Sequence, residues 1–570
     1  MCGIWAFIKL KKQNTHNMTQ LFQDFYQLKH RGPDNSYFET YHNVILGFHR
    51  LAIMDDTFSS NQPFIYEDNQ RTVVFICNGE IYNYRELIQT HELPQWIQND
   101  CRVLPEVYWK FIQQGKQSQF TSFIQDEVKG EFAFLLFEFD RLKNLKKVMA
   151  YRDPIGIRPL YYSPYSTHPD ANSNCLFFTS ELKGGLSFDG TLEEFPPGYL
   201  HTYEMDEFGT MNITRVHTIS IPNYDILARS HYCWSNNEDL YLKQVYDSVT
   251  NSVRRRLCSD KPLAFLLSGG VDSSLVAAIS ANILNKPIRT FCCGMNEGTD
   301  LLYARMVAKH IGSNHTEVLF TPEEALQAIP DVIRTIESWD TTTVRASVGQ
   351  YLVSKYIGTQ TDCKVVMVGE GPDEVCSSYL FNWYAPDGTS LDETAREYVH
   401  NIHYYDVKRA DRCISRWGLE GRVPLLDTEF IHSYWNIPPE QRMPTYKNME
   451  KWWLRKAFEY YHILPKDVLW RKKEAFSDGV SGEKSWFQII QEWVEDKVTE
   501  DEMKNASDKY PYCTPKTKEA YYYRKLFCEI FGEHRQKVIP AYWQPKWNSD
   551  GSVITEYIDP SARVLSIYKK

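Results

Sequence analysis

No stretch of this chain is apolar for long enough to cross a bilayer, which excludes a helical membrane protein. The N-terminus lacks the basic start and apolar core of a secretion signal, so the cytoplasm is the expected location. There is no concentrated basic block, and the net charge is −10, so nucleic acid is not an expected partner. The 13 cysteines are odd in number and irregularly spaced, which argues against a disulfide framework. No Cys/His spacing matches a zinc site. Internal repeats and long low-complexity segments are also lacking.

What is present suits a large soluble protein. Hydrophobic residues make up 43% and charged residues 24% of the chain. At 570 residues, two or three domains are expected. Residues 2–205 are rich in strand signals, such as the apolar runs Val73–Cys77 and Phe132–Phe137. A helix fits Arg102–Gln114, with Pro105 limiting its start. Residues 206–235 turn polar and read as a linker. From 236 to about 530, strands alternate with helices, which predicts a doubly wound parallel sheet. The strands fall at Leu263–Leu267, Ile288–Cys293 and Lys364–Val368. Residues 531–570 read as an irregular tail or surface wrap.

Three places carry chemistry. The chain opens Met1-Cys2-Gly3, and Cys2 is small enough that removal of Met1 is expected. Cys2 would then hold a thiol nucleophile and a free α-amine, which titrates near pH 8, at about 7.7–8.0. Ser268-Gly269-Gly270-Val271-Asp272-Ser273-Ser274 lies between a strand and a helix. Its glycines, hydroxyls and helix N-terminus form an anion cradle. The Walker lysine is missing, which suits capture of a leaving pyrophosphate by an AMP-transferring enzyme. Asp272 and Asp373 are paired candidates for Mg²⁺, which favours one or two carboxylates plus phosphate oxygens. Glu370, between Gly369 and Gly371 at a strand end, is the candidate for proton removal from an attacking amine.

Cys2-Gly3-Ile4, His30-Arg31-Gly32-Pro33-Asp34, Asn78-Gly79-Glu80-Ile81-Tyr82-Asn83 and Arg152-Asp153 resemble the glutaminase domain of class II amidotransferases. Ser268–Ser274 and Gly369-Glu370-Gly371 resemble the synthetase domain of glutamine-hydrolysing asparagine synthetases. Arg422–Asp427 and Lys473–Gly479 strengthen that match, which runs in order from Cys2 to about residue 530.

The resemblance implies an N-terminal nucleophile hydrolase fold, a four-layer αββα sandwich, ahead of the parallel α/β domain. It implies that Cys2 attacks the side-chain amide of glutamine, giving a thioester and ammonia. Ammonia passes through an internal channel to a second site, where ATP adenylates the side-chain carboxylate of aspartate. Ammonia then displaces AMP. Asn78 and the Gly79 N–H would serve the oxyanion. Arg50 would clamp the glutamine α-carboxylate. Glu80 and Asp100 would hold its ammonium, with Leu51 and Met54 beside them. Lys473 would stabilise charge on the α-phosphate. Leu267, Cys293, Val368 and Gly369 would line the nucleotide pocket. Thr342, Thr343, Arg345, Tyr379, Asp406 and Arg409 match family segments near nucleotide and aspartate. ATP, Mg²⁺, glutamine and aspartate are the implied small molecules, and a homodimer is a further expectation.

The chain departs from the family's pattern at four places. Val368 stands where serine is usual, Pro372 replaces another serine, and Cys376-Ser377-Ser378-Tyr379 replaces Phe-Gly-Gly-Tyr. Arg102 takes the place of an acidic residue near Asp100. The first two changes predict lost polar contacts, and the third a stiffer turn. Two rival readings are another acyl-adenylating amidotransferase, such as a β-lactam synthetase relative, and a non-catalytic binding protein. Cys2 argues against the first, and Cys2, Glu370 and Lys473 together argue against the second.

Overall fold

The computed structural model describes residues 1–10, 17–164, 175–205, 237–295, 298–472 and 484–557, and the backbone alone of 213–220. The chain divides into two compact units, Met1–Asn223 and Tyr224–Lys570.

The first unit contains twelve described strands in two antiparallel sheets. One has the order β10-β8-β9-β1-β3-β2, built from β1 (Gly3–Lys9), β2 (Asn35–Tyr41), β3 (Val44–Arg50), β8 (Tyr161–Tyr162), β9 (Cys175–Thr179) and β10 (Glu193–Glu194). The other has the order β12-β11-β7-β6-β5-β4, from β4 (Phe64–Glu67), β5 (Arg71–Ile81), β6 (Gly130–Asp140), β7 (Leu145–Arg152), β11 (Tyr199–Met205) and β12 (Ile213–Ser220).

Side chains alternate faces along a strand, and each sheet uses both faces. Ile4, Ala6 and Ile8 of β1 share one core with Val74 and Ile76 of β5 and Leu135 and Phe137 of β6. The opposite face of β1 carries Trp5, whose ring lies 6.3 Å from Phe25 of the helix Met18–Tyr26. Phe134 of β6 likewise meets Phe120 of the helix Gln119–Asp126, at 6.1 Å. The result is the expected helix–sheet–sheet–helix sandwich.

The stretch expected to be a linker contains β12, which pairs with β11 along its length. Its sequence, Ile213-Thr214-Arg215-Val216-His217-Thr218-Ile219-Ser220, is rich in β-branched residues and alternates in polarity. That local signal outweighs the polar composition of the surrounding stretch.

In the second unit, all five strands are parallel, in the order β15-β14-β13-β16-β17. They are β13 (Leu263–Leu266), β14 (Arg289–Gly294), β15 (Asn314–Leu319), β16 (Val365–Met367) and β17 (Glu420–Arg422). β15 and β17 were not among the expected strands; both are edge strands with polar residues. β13 and β16 are neighbours, so the loops 268–274 and 369–374 emerge side by side from the carboxyl edge, where such sheets bind ligands. Through residue 557, the expected tail is bonded to this unit. Trp339 donates to the Gln536 carbonyl at 2.9 Å, and the Trp543 N–H to Asp340 at 2.8 Å. Among the described residues, no helix is long and apolar enough to cross a membrane.

Candidate active sites

In the first unit, Cys2 starts just before β1, and its Sγ lies 3.8 Å from the Leu51 carbonyl. The preceding Met1 is buried, with its thioether against the Arg158 guanidinium. Arg158 also pairs with Glu131 Oε2 at 3.2 Å. Glu131 is the second residue of β6, opposite Glu80 and next to the partner of Gly79. These contacts bring the chain start to the strand that carries Asn78, Gly79 and Glu80.

Asn78 is fully buried, and neither its Oδ1 nor its Nδ2 finds a hydrogen-bond partner among the described residues. An idle buried amide is costly, by about 1–3 kcal/mol, which is what a side chain reserved for a ligand looks like. Gly79 is required by close approach: a Cβ there would stand 2.2 Å from the Glu131 carbonyl oxygen. Asp100 is buried and accepts the Ile81 N–H at 2.7 Å. Glu80, Leu51 and Met54 are buried too.

Arg50 is also buried, and its guanidinium is already engaged. It donates to the carbonyls of Thr57 (3.0 Å), Met54 (3.4 Å) and Asp55, and to Asn61 Oδ1 (2.7 Å). It therefore folds the loop that carries Leu51 and Met54. A substrate carboxylate would have to share or displace these acceptors. Arg102, at the departure near Asp100, stacks over Trp96 and pairs with Glu106 at 3.3 Å.

In the second unit, the serine–glycine loop closes on itself. Ser268 donates its N–H to Ser273 Oγ at 3.1 Å, and the two hydroxyls lie 2.9 Å apart. Gly269 takes φ +75°, and a Cβ there would meet Ala304 N at 2.6 Å. Gly369 brings the second loop onto the first, since its Cβ would lie 2.6 Å from Ser273 N. Ser274 is buried, with an unpartnered hydroxyl.

A single cavity takes in Leu267, Ser268, Gly270, Asp272, Ser273 and Cys293 on one side. Gly369, Glu370, Asp373, Arg409, Gln350 and Lys451 are among its other lining residues. Gly269, Ser274, Val368, Thr342, Thr343, Arg345, Tyr379 and Asp406 are not among its lining residues. Thr343 instead bonds Asp340, which caps the helix Thr341–Gln360. Thr342 Oγ1 is buried without a partner. Arg345 makes a buried two-pronged pair with Glu519, at 2.8 and 2.5 Å. Tyr379 donates to Glu374 at 2.5 Å, and Asp406 pairs with Arg409 at 2.6 Å. Lys473 lies outside the described residues.

Glu370 accepts from Gln350 at 2.9 Å and lies 3.6 Å from Arg409. Burial pushes its carboxyl above the usual range, against the pull of Arg409. Between Asp272 and Asp373 stands Lys451, 2.6 Å from each. Burial disfavours its charge, yet the two carboxylates outweigh that and hold it protonated. Lys451 carried no motif in the sequence; only the tertiary fold delivers it.

A family profile described as asparagine synthase matches residues 244–396 and 384–558, and one described as a glutamine amidotransferase domain matches 1–242. The asparagine synthetase [glutamine-hydrolyzing] of Homo sapiens is 37% identical over all of this chain and 99% of its own length. Those of Pongo abelii and Gallus gallus are 38% and 36% identical, over the same shares. The chain belongs to the glutamine-hydrolysing asparagine synthetases.

Within this family's pattern, the departures prove to be structurally accommodated. Val368 is buried, its N–H on the Arg422 carbonyl at 3.0 Å, and takes no part in the cavity wall. Pro372 opens the helix Pro372–Val375, where a missing N–H costs the helix nothing. Ser378 donates its hydroxyl to Asp373, a bond no glycine could make. Ser377 carries the strain, with φ +52° and a buried, unpartnered hydroxyl.

Proposed function

We propose that this asparagine synthetase makes asparagine from aspartate, ATP and ammonia taken from glutamine, through a Cys2 thioester and a β-aspartyl-AMP intermediate. The observation that carries the reading is a different set of residues gathered in each unit. One holds an N-terminal thiol and an idle buried amide on the neighbouring strand. The other is a serine–glycine cradle facing a buried carboxylate.

At the first site, the Cys2 sulfur attacks the glutamine carboxamide carbon, and the α-amine takes the thiol proton. Asn78 Nδ2 and the Gly79 N–H donate to the oxygen that gains charge. Collapse releases ammonia and leaves the acyl group on sulfur. Water then frees glutamate. Arg50, Glu80 and Asp100 provide the charges that match a zwitterionic substrate. Residues 2–205 make up the glutaminase and 236–530 the synthetase in this reading.

At the second site, the aspartate side-chain carboxylate attacks the α-phosphorus of ATP, and pyrophosphate leaves into the cradle of Ser268 and Ser273, which line the cavity. Ammonia attacks the acyl carbon, Glu370 accepts its proton, and AMP departs. Lys473, and Lys451 in the wall of the same cavity, offset phosphate charge. Asp272 and Asp373 fit Mg²⁺: Asp272 Oδ1 is buried with no partner, and Lys451 neutralises only one of the two carboxylates. When bound, the ion would screen the phosphate oxygens. The net charge of −10 supports small molecules over nucleic acid as partners.

Glutamine labelled with ¹⁵N at the amide, supplied with aspartate and ATP, should yield amide-labelled asparagine and AMP. Cys2→Ala should lose synthesis from glutamine and keep synthesis from ammonium. ADP in place of AMP, or undiminished glutamine use by Cys2→Ala, would refute the scheme.

A further inference from the structure

An N-terminal nucleophile has a positional problem that an internal one lacks. Once Met1 is gone, the chain tethers Cys2 on one side only. Its carbonyl is then its principal backbone anchor. That carbonyl accepts a hydrogen bond from Arg31 Nε at 2.9 Å. Arg31 is fully buried, and its other contact of note is Glu181, at 2.5 Å from Nη1.

Glu181 is also fully buried, and it gathers two more groups, Lys183 Nζ at 2.6 Å and His30 Nε2 at 3.0 Å. Burial alone would raise its carboxyl, but Lys183, His30 and Arg31 together hold it well below the usual range. The three cations around it favour its ionised form. The residue before it grips the same strand. Ser180 Oγ accepts the Ile4 N–H at 2.8 Å, and the Ser180 N–H donates to the Ile4 carbonyl at 2.9 Å. Two adjacent residues thus hold the first three residues of the mature chain.

We propose that Glu181 is a positioning residue for the nucleophile: through Arg31 it fixes the Cys2 carbonyl, and with it the direction from which the thiol meets the carboxamide. This role rests on the glutaminase reading above. Glu181 reaches the nucleophile through Arg31 and the Cys2 carbonyl, so its loss should act on turnover and not on binding. Misplacement of a reacting group by about 1 Å costs about 100-fold in rate.

The test is Glu181→Gln, which keeps size and removes charge. The kcat for glutamine hydrolysis should fall about 10- to 100-fold, while KM stays within about twofold. Synthesis from ammonium, performed by residues of the other unit, should be unchanged. Arg31→Ala should also lower kcat, and the double variant should be no slower than Arg31→Ala alone. A parental kcat in Glu181→Gln, or losses that multiply in the double variant, overturns the role. If Glu181→Gln does not fold, Glu181→Asp keeps the charge and withdraws it from Arg31. It must show the same selective loss of kcat, and parental kcat there overturns the role as well. A parent that hydrolyses no glutamine refutes the functional reading itself; an active parent with an equally active Glu181→Gln refutes only the positioning.

Discussion

Lys451→Met removes an ammonium and keeps most of the side-chain volume. The lysine is 1% exposed and sits 2.6 Å from both Asp272 and Asp373, which are 18% and 24% exposed. Without it, two carboxylates face each other with no cation between them. At an effective dielectric of about 20, two like charges about 4 Å apart repel by about 4 kcal/mol. Breaking a buried ion pair on one side costs about 3–5 kcal/mol. The aspartates are partly wetted, so the low end, about 3 kcal/mol, is the expected loss. Denaturant unfolding followed by tryptophan fluorescence measures it. With the ammonium gone, Mg²⁺ could take its place between the two carboxylates, so adding Mg²⁺ should restore stability to Lys451→Met more than it stabilises the parent. Glutamine hydrolysis should continue, because its residues all lie in the first unit, whereas AMP formation should be lost. A variant within about 1 kcal/mol of the parent and indifferent to Mg²⁺ would refute both the charge balance and the metal assignment.

Ser377→Gly should stabilise the second unit by about 1 kcal/mol: relief of left-handed strain is worth about 1–2 kcal/mol, less about 0.5–1 for glycine's freedom when unfolded. A lowered melting temperature in a thermal scan would count against it. Arg409→Gln should remove the pull that lowers the Glu370 carboxyl, leaving burial and Asp406 to push it further up. Glu370 accepts a proton only when ionised, so the ratio of variant to parental synthesis rate should fall as pH drops. A ratio that is flat with pH would exclude Glu370 as the base.

Much of the second site was legible because its signals are local. A glycine pair flanked by serines, after Leu267 and before a helix, specifies a tight turn and exposed N–H groups wherever the strand runs. Asp272 and Asp373 follow strands that turn out to be neighbours, which the βα alternation already implied. Lys451 was invisible for the opposite reason. It belongs to no loop of the sheet and reaches the aspartates only through packing of the segment before the helix Trp452–Glu459. Arg345 and Arg50 show a different limit. Both are buried arginines in matching segments, yet their partners are Glu519 in one case and three carbonyls with Asn61 in the other. A guanidinium with five donors satisfies structure first, and sequence alone does not reveal how many donors remain.

The two sites set opposite electrostatic conditions, and the chemistry of ammonia gives a reason. Around Cys2, the cations Arg31, Lys183 and Arg158 are balanced by Glu181 and Glu131 in tight, dry pairs. Such pairs fix geometry around the proposed nucleophile, where the α-amine of a mature Cys2 would handle the thiol proton. Around Glu370 the balance is deliberately loose. Burial and Asp406 push its carboxyl up, and Arg409 at 3.6 Å is too distant for a tight pair. A carboxylate held firmly by a close arginine would be a poor base, because the pair stabilises its ionised form. A carboxylate with no cation would stay protonated and could accept nothing. The long Arg409 contact, combined with the neutral donor Gln350 at 2.9 Å, keeps Glu370 ionisable yet basic. That is the state the proposed base would need to take the proton from ammonia as it joins the acyl carbon.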